Sequence, residues 1–209
     1  MHILLLGATG RVGTSVIEYA LAANLHVTAV ARNRAKIQRT DPHLTVLEGD
    51  ICKPEELITQ LRQPIDAIMN VAGGDVFKPS TVVTDSARSA LTIAQKLSIT
   101  RYLGITGVAE MESYGLLGNI TTAVIRRSPI RHAVTDHDGA IALVCSSGTD
   151  WVLAGCPYIR DGLRTQKYNV VPDCFPGGFK IISPQDVADF LVKEAREQRF
   201  HKQVIGIWN

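Results

Sequence analysis

The order of apolar and polar positions along the chain predicts strands that alternate with helices. Residues 2–6 form an apolar run typical of a buried strand, and residues 11–23 then place Val12, Val16 and Leu21 on one helical face. Similar runs predict strands at 25–31, 43–47, 65–71, 101–106, 151–154 and 204–208. Helical spacing predicts helices at 80–97 and 130–147, a short helix near Pro54, and a last helix that begins at Ser183 and Pro184. This alternation predicts a single α/β domain over residues 1–209, with a doubly wound, mostly parallel sheet and helices on both faces.

Two stretches carry weaker patterns. Residues 107–128 are interrupted by glycines and predict a loop with one short helix. A long segment after a strand is often functional, so this one is a candidate lid. Residues 168–171 predict a short strand whose partner is 180–182. Together with 156–182, the first of these stretches forms the expected substrate-side region.

Directly after the first strand, a glycine-rich turn with the sequence Gly7-Ala8-Thr9-Gly10-Arg11-Val12-Gly13 precedes the first helix. A helix N-terminus presents unpaired N–H groups and a positive dipole end, which suit a phosphate. Gly7 would allow the sharp turn off the strand, Gly10 the approach of a pyrophosphate, and Gly13 the close packing of helix on sheet. The spacing differs from the usual G-x-G-x-x-G, and a plain structural turn is the alternative. The position between strand and helix favours dinucleotide binding.

Composition adds few constraints. The 209 residues are 45% hydrophobic and 20% charged, with a net charge of +2. Such a charge predicts neither a nucleic-acid nor a membrane partner. No signal-peptide pattern or membrane-spanning run occurs, so we expect a cytoplasmic protein. The cysteines lack the spacing of metal ligands, which predicts free thiols and no metal site.

The end of the second strand indicates the choice of cofactor. An NAD-binding chain usually places Asp or Glu there for the ribose 2′-hydroxyl, whereas Arg accommodates a 2′-phosphate. Here Arg32 follows the strand and can bind phosphate oxygens in bidentate fashion, with Arg34 and Lys36 close behind. A solvated basic turn is the alternative, but next to the glycine loop the pattern favours NADP over NAD.

Two further strand ends carry candidate cofactor contacts. Asp50 could bind the exocyclic amine of adenine or cap the helix near Pro54. After the next strand, the small residues Val71, Ala72 and Gly73 would let a ligand lie against the backbone, with a simple turn as the alternative.

With these motifs and residues 147–153 (SGTDWVL), the chain resembles the atypical short-chain dehydrogenase/reductases with an NAD(P)H-binding Rossmann domain. Within them it is most similar to the flavin reductase, or biliverdin-IXβ reductase, group. The resemblance covers nearly the whole chain and rests on residues 83–88 (VTDSAR), 133–137 (AVTDH) and 183–188 (SPQDVA) in that order. It implies a sheet of order 3-2-1-4-5-6 with an NADP-type cofactor across the ends of its strands.

The resemblance also implies which residues touch each part of the cofactor. These are Gly7, Thr9, Gly10, Arg11, Val12 and Gly13 for the pyrophosphate, Arg32 and Lys36 for the 2′-phosphate, Asp50 and Ile51 for adenine, and Thr106, Cys156, Pro157, Tyr158 and Ile159 for the nicotinamide.

The proton-donating residues depart from the family pattern. The wider family uses Tyr-x-x-x-Lys, whereas the equivalent stretch here is 136–141 (DHDGAI), with neither residue type. The flavin reductase group has a Ser after the Thr of strand 5 and a His after strand 6, where this chain has Gly107 and Tyr158. Reduction of a simple carbonyl by the usual triad is therefore not expected.

Hydride transfer to a flavin or quinone needs no strong side-chain acid, because the acceptor can take its proton from solvent. Tyr158 is the first candidate donor, with a packed loop tyrosine as the alternative. His137 is the second, with a surface residue at a helix start as the alternative. Thr106 could hydrogen-bond the carboxamide or substrate, or be structural, and Tyr114 could stack on a flat substrate.

Taken together, the sequence predicts an NADPH-dependent oxidoreductase that transfers hydride to a flat small-molecule acceptor such as a flavin or quinone. The resemblance suggests a monomer or a weak homodimer. The alternative is a non-catalytic NADP-binding protein that senses redox state, because intact binding residues with an incomplete triad fit both functions.

Overall fold

The computed structural model describes residues 1–107, 112–113 and 115–209, with side chains described for 1–107 and 118–209. Within these residues, strands and helices alternate as the sequence predicts. The strands are β1 (His2–Leu6), β2 (His26–Ala31), β3 (Leu44–Glu48), β4 (Ala67–Asn70), β5 (Arg101–Gly107), β6 (Glu112–Ser113), β7 (Asp150–Cys156), β8 (Tyr158–Ile159), β9 (Asn169–Pro172), β10 (Cys174–Phe175), β11 (Ile181–Ile182) and β12 (Gln203–Trp208). The helices are α1 (Arg11–Ala22), α2 (Pro54–Gln60), α3 (Val82–Leu97), α4 (Gly115–Arg127), α5 (Arg131–Cys145) and α6 (Pro184–Glu197).

The central sheet has eight strands in the order β3-β2-β1-β4-β5-β7-β12-β9. All neighbours pair in parallel except β9, which runs antiparallel to β12 at the edge. The predicted order 3-2-1-4-5-6 is confirmed, with β7 as the sixth strand after β3, β2, β1, β4 and β5. The α/β fold class is confirmed with it. Because the first six strands are parallel, their carboxyl ends lie along one edge of the sheet, where ligands bind in open α/β folds.

Helices cover both faces of this sheet. In β1, Ile3 and Leu5 face the layer of α1 and α6, and Leu4 and Leu6 face the layer of α3 and α5. All four side chains are fully buried, which is the pattern of a central parallel strand. No helix in the described part of the chain is both long and apolar enough to cross a membrane.

The two weaker stretches had different outcomes. The helix predicted within 107–128 is present as α4, although at 13 residues it is longer than expected. Its Ile120 and Val124 are 50% and 62% exposed, whereas Ile125 packs against the small cluster of Phe175 and Trp208. The predicted strand at 168–171 does not pair with 180–182, because β9 pairs with β12 and β11 pairs with β8. The pattern of apolar and polar residues within a short strand does not indicate which other strand it pairs with.

Candidate functional site

The glycine loop has the geometry that the sequence predicts for Gly7 and Gly13. Gly7 has a φ of +83°, and a Cβ atom there would lie 2.7 Å from the amide nitrogen of Ala72. A Cβ on Gly13 would lie 2.2 Å from the Gly7 carbonyl oxygen, so the helix reaches the loop only without a side chain. A Cβ on Gly10 would meet only the Gly7 carbonyl oxygen, at 3.3 Å, which leaves its outer side open. The loop therefore presents backbone to a ligand, as a pyrophosphate requires.

The N-terminus of α1 differs from those of α3 and α6. Its N-cap residue is Gly10, which has no side chain to accept from the first N–H groups. At α6, the Ser183 hydroxyl accepts from the amide of Asp186 at 2.9 Å. At α3, the carboxylate of Asp136 accepts from Val83 and Thr84 amides at 3.1 and 2.8 Å. The first N–H groups of α1 thus suit an external anion.

The basic residues after β2 lie beside the end of β3. The Gly49 amide donates to the Ala31 carbonyl at 3.1 Å, which extends the β2–β3 ladder to the level of Arg32. Arg32 and Lys36 are exposed, and neither forms an ion pair with any described residue. Both cations are therefore available to an anionic group at this corner of the sheet.

Asp50 lies at the same corner but does not cap α2. Its carboxylate accepts from the Cys52 amide at 2.9 Å, while the N-cap residue of α2 is Lys53. The capping prediction was therefore wrong, because the acid closes its own turn before the helix begins. Ile51 is half-buried and packs against the core beneath α3.

Asn70 ties the loop after β4 to α3 and β5. Its amide group donates to Ser86 Oγ at 3.1 Å and to Tyr102 Oη at 3.2 Å. Its side-chain oxygen accepts from the Ala72 amide at 3.1 Å. Burial raises the pKa of Tyr102 to about 12, so this hydroxyl stays protonated. Farther along, a Cβ on Gly73 would meet nothing within 4 Å, so the backbone there is open to a ligand.

Thr106 and Cys156 lie at the paired carboxyl ends of β5 and β7 and point to opposite faces. Thr106 is 2% exposed, and its hydroxyl has no hydrogen-bond partner among the described residues. By strand alternation it shares the face of Tyr102, below α3 and α5. The thiol of Cys156 packs in the core below α1 and α6, and burial raises its pKa. Any contact of Cys156 with a ligand at this edge would therefore use its backbone.

His137 lies in the middle of α5 rather than at the start of a helix. Its Nδ1 atom is buried and has no hydrogen-bond partner among the described residues. The ring lines a cavity of about 10 Å³ together with Asn70, Ala72 and Tyr102, which gives room for about one water molecule. The prediction of a surface residue was therefore wrong. Burial lowers the pKa of His137, against the opposing effect of Asp136 and Asp138.

Residues 136–141 of α5, which the resemblance described above equates with Tyr-x-x-x-Lys, pack against α3. Asp136 binds the first turn of α3 as described above, and its carbonyl accepts from Thr84 Oγ1 at 2.7 Å. A Cβ on Gly139 would lie 2.6 Å from the same Thr84 oxygen. A side chain at position 139 would have to displace the Thr84 side chain. Of the donors predicted from the sequence, His137 is the one that lies on α5.

Tyr158 lies on a short two-stranded ribbon beyond the end of β7. β8 pairs in parallel with β11, with Tyr158 opposite Ile181. The Tyr158 ring is 59% exposed, and its centroid lies 6.2 Å from that of Phe179. It is therefore not a packed loop tyrosine. Arg11 Nη1 donates to the Ile159 carbonyl at 3.3 Å, which places the ribbon beside the glycine loop.

The sequence did not reveal which residues hold the segment after the ribbon. Asp186 is fully buried and accepts from the amides of Thr165 and Gln166 at 2.8 and 2.9 Å. Asp189 accepts from Tyr168 Oη at 2.7 Å and also pairs with Arg164. An acidic residue in the first turn of a helix, such as Asp186, ordinarily complements the helix dipole, and Asp189 lies one turn farther along. The role of the two acids in fixing this segment therefore had no local signal. Tyr114 lies outside the described residues.

The sheet order, the glycine loop and the uncapped start of α1 define a dinucleotide-binding protein of the Rossmann type. The model of the NAD(P)H-binding family matches residues 7–198, and the chain belongs to this family.

Solved structures share the fold at low sequence identity. The oxidoreductase YlbE from Lactococcus lactis has a TM-score of 0.81 and 19% identity, covering 100% of this chain and 91% of that one. A proposed NADH-flavin reductase from Streptococcus pneumoniae has a TM-score of 0.77 and 18% identity, covering 100% and 99%. A short-chain dehydrogenase/reductase from Veillonella parvula in complex with NADP has a TM-score of 0.76 and 18% identity, covering 100% and 94%.

A sequence relative is the protein YwnB from Bacillus subtilis, which is 29% identical over 111 residues. The match spans about half of each protein, 53% of this chain and 49% of YwnB.

Proposed function

We propose that this chain is an NADPH-dependent oxidoreductase that transfers hydride to a flat acceptor such as a flavin or a quinone. The observation that carries the proposal is the shared edge of the sheet. The glycine loop after β1, Arg32 after β2 and the buried hydroxyl of Thr106 on β5 all lie at carboxyl ends of parallel strands. A dinucleotide across this edge would place its 2′-phosphate at the Arg32 end of that row, its pyrophosphate at the glycine loop and its nicotinamide near Thr106 at the other end.

The residues of the edge fit the cofactor part by part. The glycine loop and the first N–H groups of α1 would hold the pyrophosphate, and Arg32 with Lys36 would hold the 2′-phosphate. Asp50 and Ile51 would flank the adenine. The open backbone at Val71, Ala72 and Gly73 would line the ribose and nicotinamide side. When bound, NADPH supplies the hydride from its nicotinamide ring.

On the nicotinamide side, the chain's own residues orient the reactants and provide protons. The Thr106 hydroxyl would hydrogen-bond the carboxamide or the substrate, which would satisfy its buried oxygen. Tyr158 Oη is the proposed proton donor, because its ring stands exposed beside the edge. His137 is a weaker donor, because its lowered pKa keeps the ring neutral near pH 7. The segments 107–128 and 156–182 would form the acceptor side.

A flat acceptor fits this site better than a simple carbonyl. The α5 position of the family's tyrosine and lysine is occupied by the close contact of Gly139 with Thr84. A flavin or quinone can take its proton from solvent, so positioning of the two rings supplies most of the rate. The same contact favours the second candidate function, a non-catalytic NADP-binding sensor, because a sensor needs no donor at all.

The two functions are separated by a titration and a turnover assay. We expect tight NADPH binding and oxidation of NADPH, followed at its absorbance band, with at least one flavin, quinone or dichlorophenolindophenol. Tight binding without turnover across the whole panel would overturn the reductase and favour the sensor. Failure to bind either NADPH or NADH would overturn both.

A further inference from the structure

The exposed face of the β8–β11 ribbon carries two aromatic rings side by side. Phe179 is 82% exposed and Tyr158 is 59% exposed, with ring centroids 6.2 Å apart and planes inclined by 32°. Single exposed apolar side chains are common, whereas these two rings lie next to each other and form a small apolar patch beside the carboxyl edge of the sheet. The ribbon itself is held by hydrogen bonds, with the Tyr158 amide donating to the Lys180 carbonyl at 3.4 Å.

A guanidinium lies on the same face. The Arg160 amide donates to the Ile182 carbonyl at 3.0 Å, so the ladder continues one residue beyond β8. Because side chains alternate along a strand, Arg160 points to the same side as Tyr158. Arg160 is exposed and forms no ion pair within the described part of the chain. The neighbouring acid, Asp161, is paired with Arg11 at 3.1 Å.

The ribbon is fixed in place from both sides. On one side, Arg11 at the start of α1 donates to the Ile159 carbonyl at 3.3 Å. On the other side, the Gly178 amide donates to Thr121 Oγ1 of α4 at 3.1 Å, directly before Phe179. The two rings and the guanidinium are therefore presented between the glycine loop and α4, at the carboxyl edge of the sheet.

We propose that Tyr158, Phe179 and Arg160 form the acceptor platform, on which a flat aromatic ring stacks and an anionic group of the acceptor, phosphate or carboxylate, binds the guanidinium. This rests on the proposed reductase function and names its substrate class. Offset stacking on aromatic rings suits a planar ligand, and a guanidinium binds oxyanions in bidentate fashion. Two rings and one cation are far smaller than the roughly 800 Å² per partner of a stable protein interface, so a small molecule is the occupant.

The test uses acceptors that share a ring and differ in charge, namely FMN and riboflavin. Two readouts are needed: KM and kcat with saturating NADPH, and quenching of flavin fluorescence by the protein loaded with NADP⁺. A neutral quinone and its sulfonated derivative serve as a second pair. Wild-type protein is expected to bind FMN more tightly than riboflavin by about tenfold, as one charged contact of about 1.4 kcal/mol would give.

Phe179→Ala is expected to raise KM for both flavins by about tenfold and to weaken quenching, because stacking on the ring is lost. Phe179→Leu keeps an apolar side chain but removes the planar ring. It should show most of the increase in KM and most of the loss of quenching seen with Phe179→Ala. Arg160→Gln is expected to bring FMN to the level of riboflavin and to leave riboflavin unchanged. Leu97→Ala and Arg62→Gln, exposed residues near the amino edge of the sheet, are the matched controls.

The outcomes separate this proposal from the proposed function. If wild-type protein oxidises NADPH with flavins but the Phe179 and Arg160 variants match the controls in both readouts, the platform is overturned and the reductase stands. If wild-type protein binds NADPH yet neither binds nor reduces any flavin or quinone, both are overturned.

Discussion

Arg11 Nη1 lies 3.1 Å from Asp161 Oδ1, and this ion pair joins the first residue of α1 to the segment after β8. The two side chains are 61% and 81% exposed, so solvent screens the pair and its contribution to stability is small. The position of the pair matters more than its contribution to stability. Arg11 lies at the helix end where the pyrophosphate of a dinucleotide would bind, and the carboxylate of Asp161 partly neutralises its positive charge.

Asp161→Asn is expected to strengthen binding of NADPH and NADH equally, by up to about fivefold, because Arg11 loses a competing anion. The pyrophosphate is common to both cofactors, so the ratio of their dissociation constants should not move. Titrations at low and high salt would measure the effect, which should shrink as salt screens the exposed charges. Weaker binding of both cofactors in the variant would contradict this account and indicate that the pair positions Arg11.

Arg32→Ala is expected to weaken NADPH binding by at least about tenfold and to change NADH binding little, since only NADPH carries the 2′-phosphate. Isothermal titration with both cofactors measures the difference. Arg39→Ala is the matched control, because Arg39 lies near the same turn but pairs with Asp41 at 3.7 Å. Equal losses for NADPH and NADH would refute the phosphate assignment of Arg32.

A buried ionic network at the amino edge is expected to determine stability without touching the site. Glu194 is fully buried and accepts from Arg101 Nη2 at 2.7 Å and from the Phe200 amide at 3.0 Å. Glu194→Gln leaves the Arg101 charge partly unpaired, so we expect a loss of about 3–5 kcal/mol in the free energy of unfolding. Lys53→Met, which removes an exposed pair with Glu56, should cost less than about 1 kcal/mol.

Urea unfolding of the three proteins measures these losses. Because the network lies far from the carboxyl edge, the NADPH affinity of folded Glu194→Gln should equal that of the wild type. A stability loss no larger than that of the Lys53 variant would contradict the assignment.

Tyr158→Phe is expected to lower kcat about tenfold. This is less than the usual contribution of a general acid to the rate, because solvent can also supply the proton. The ring remains, so the KM of the acceptor and the affinity for NADPH should not change. Steady-state kinetics with a quinone measures both parameters. Unchanged turnover would remove Tyr158 as proton donor and leave the proton to solvent.

The parts of the fold that could be predicted are those with a repeating local signal. The apolar run of β1, the stripe of α1 and the Ser183–Pro184 start of α6 each follow from residues within one element. The roles of Gly7 and Gly13 could also be predicted from their spacing, and a Cβ atom at either position would lie too close to neighbouring backbone atoms.

What could not be predicted depends on contacts between distant elements. Asp136 reads as a surface acid, yet it binds the amides of Val83 and Thr84 at the start of α3. The next residue, His137, has a buried Nδ1 atom, and this burial likewise had no signal in the neighbouring residues. The contact of Phe179 with Tyr158 could not be predicted either, because it depends on the pairing of β8 with β11.

His137 should make the protein less stable in mild acid. Burial lowers its pKa in the folded state, so below the unfolded value of about 6.5 the unfolded chain binds more protons. The free energy of unfolding should therefore fall as pH drops below about 6.5, and level off once pH passes the folded-state pKa, with a slope of at most about 1.4 kcal/mol per pH unit from this group. The lowered pKa of His2, which burial and His26 cause, adds a contribution of the same sign. Urea unfolding at several pH values measures how the free energy of unfolding changes with pH. This dependence on pH should be weaker in His137→Gln than in the wild type, and weaker still in the double variant His2→Gln/His137→Gln. A slope identical to that of the wild type in the His137 variant would show that the ring is solvated in the folded protein.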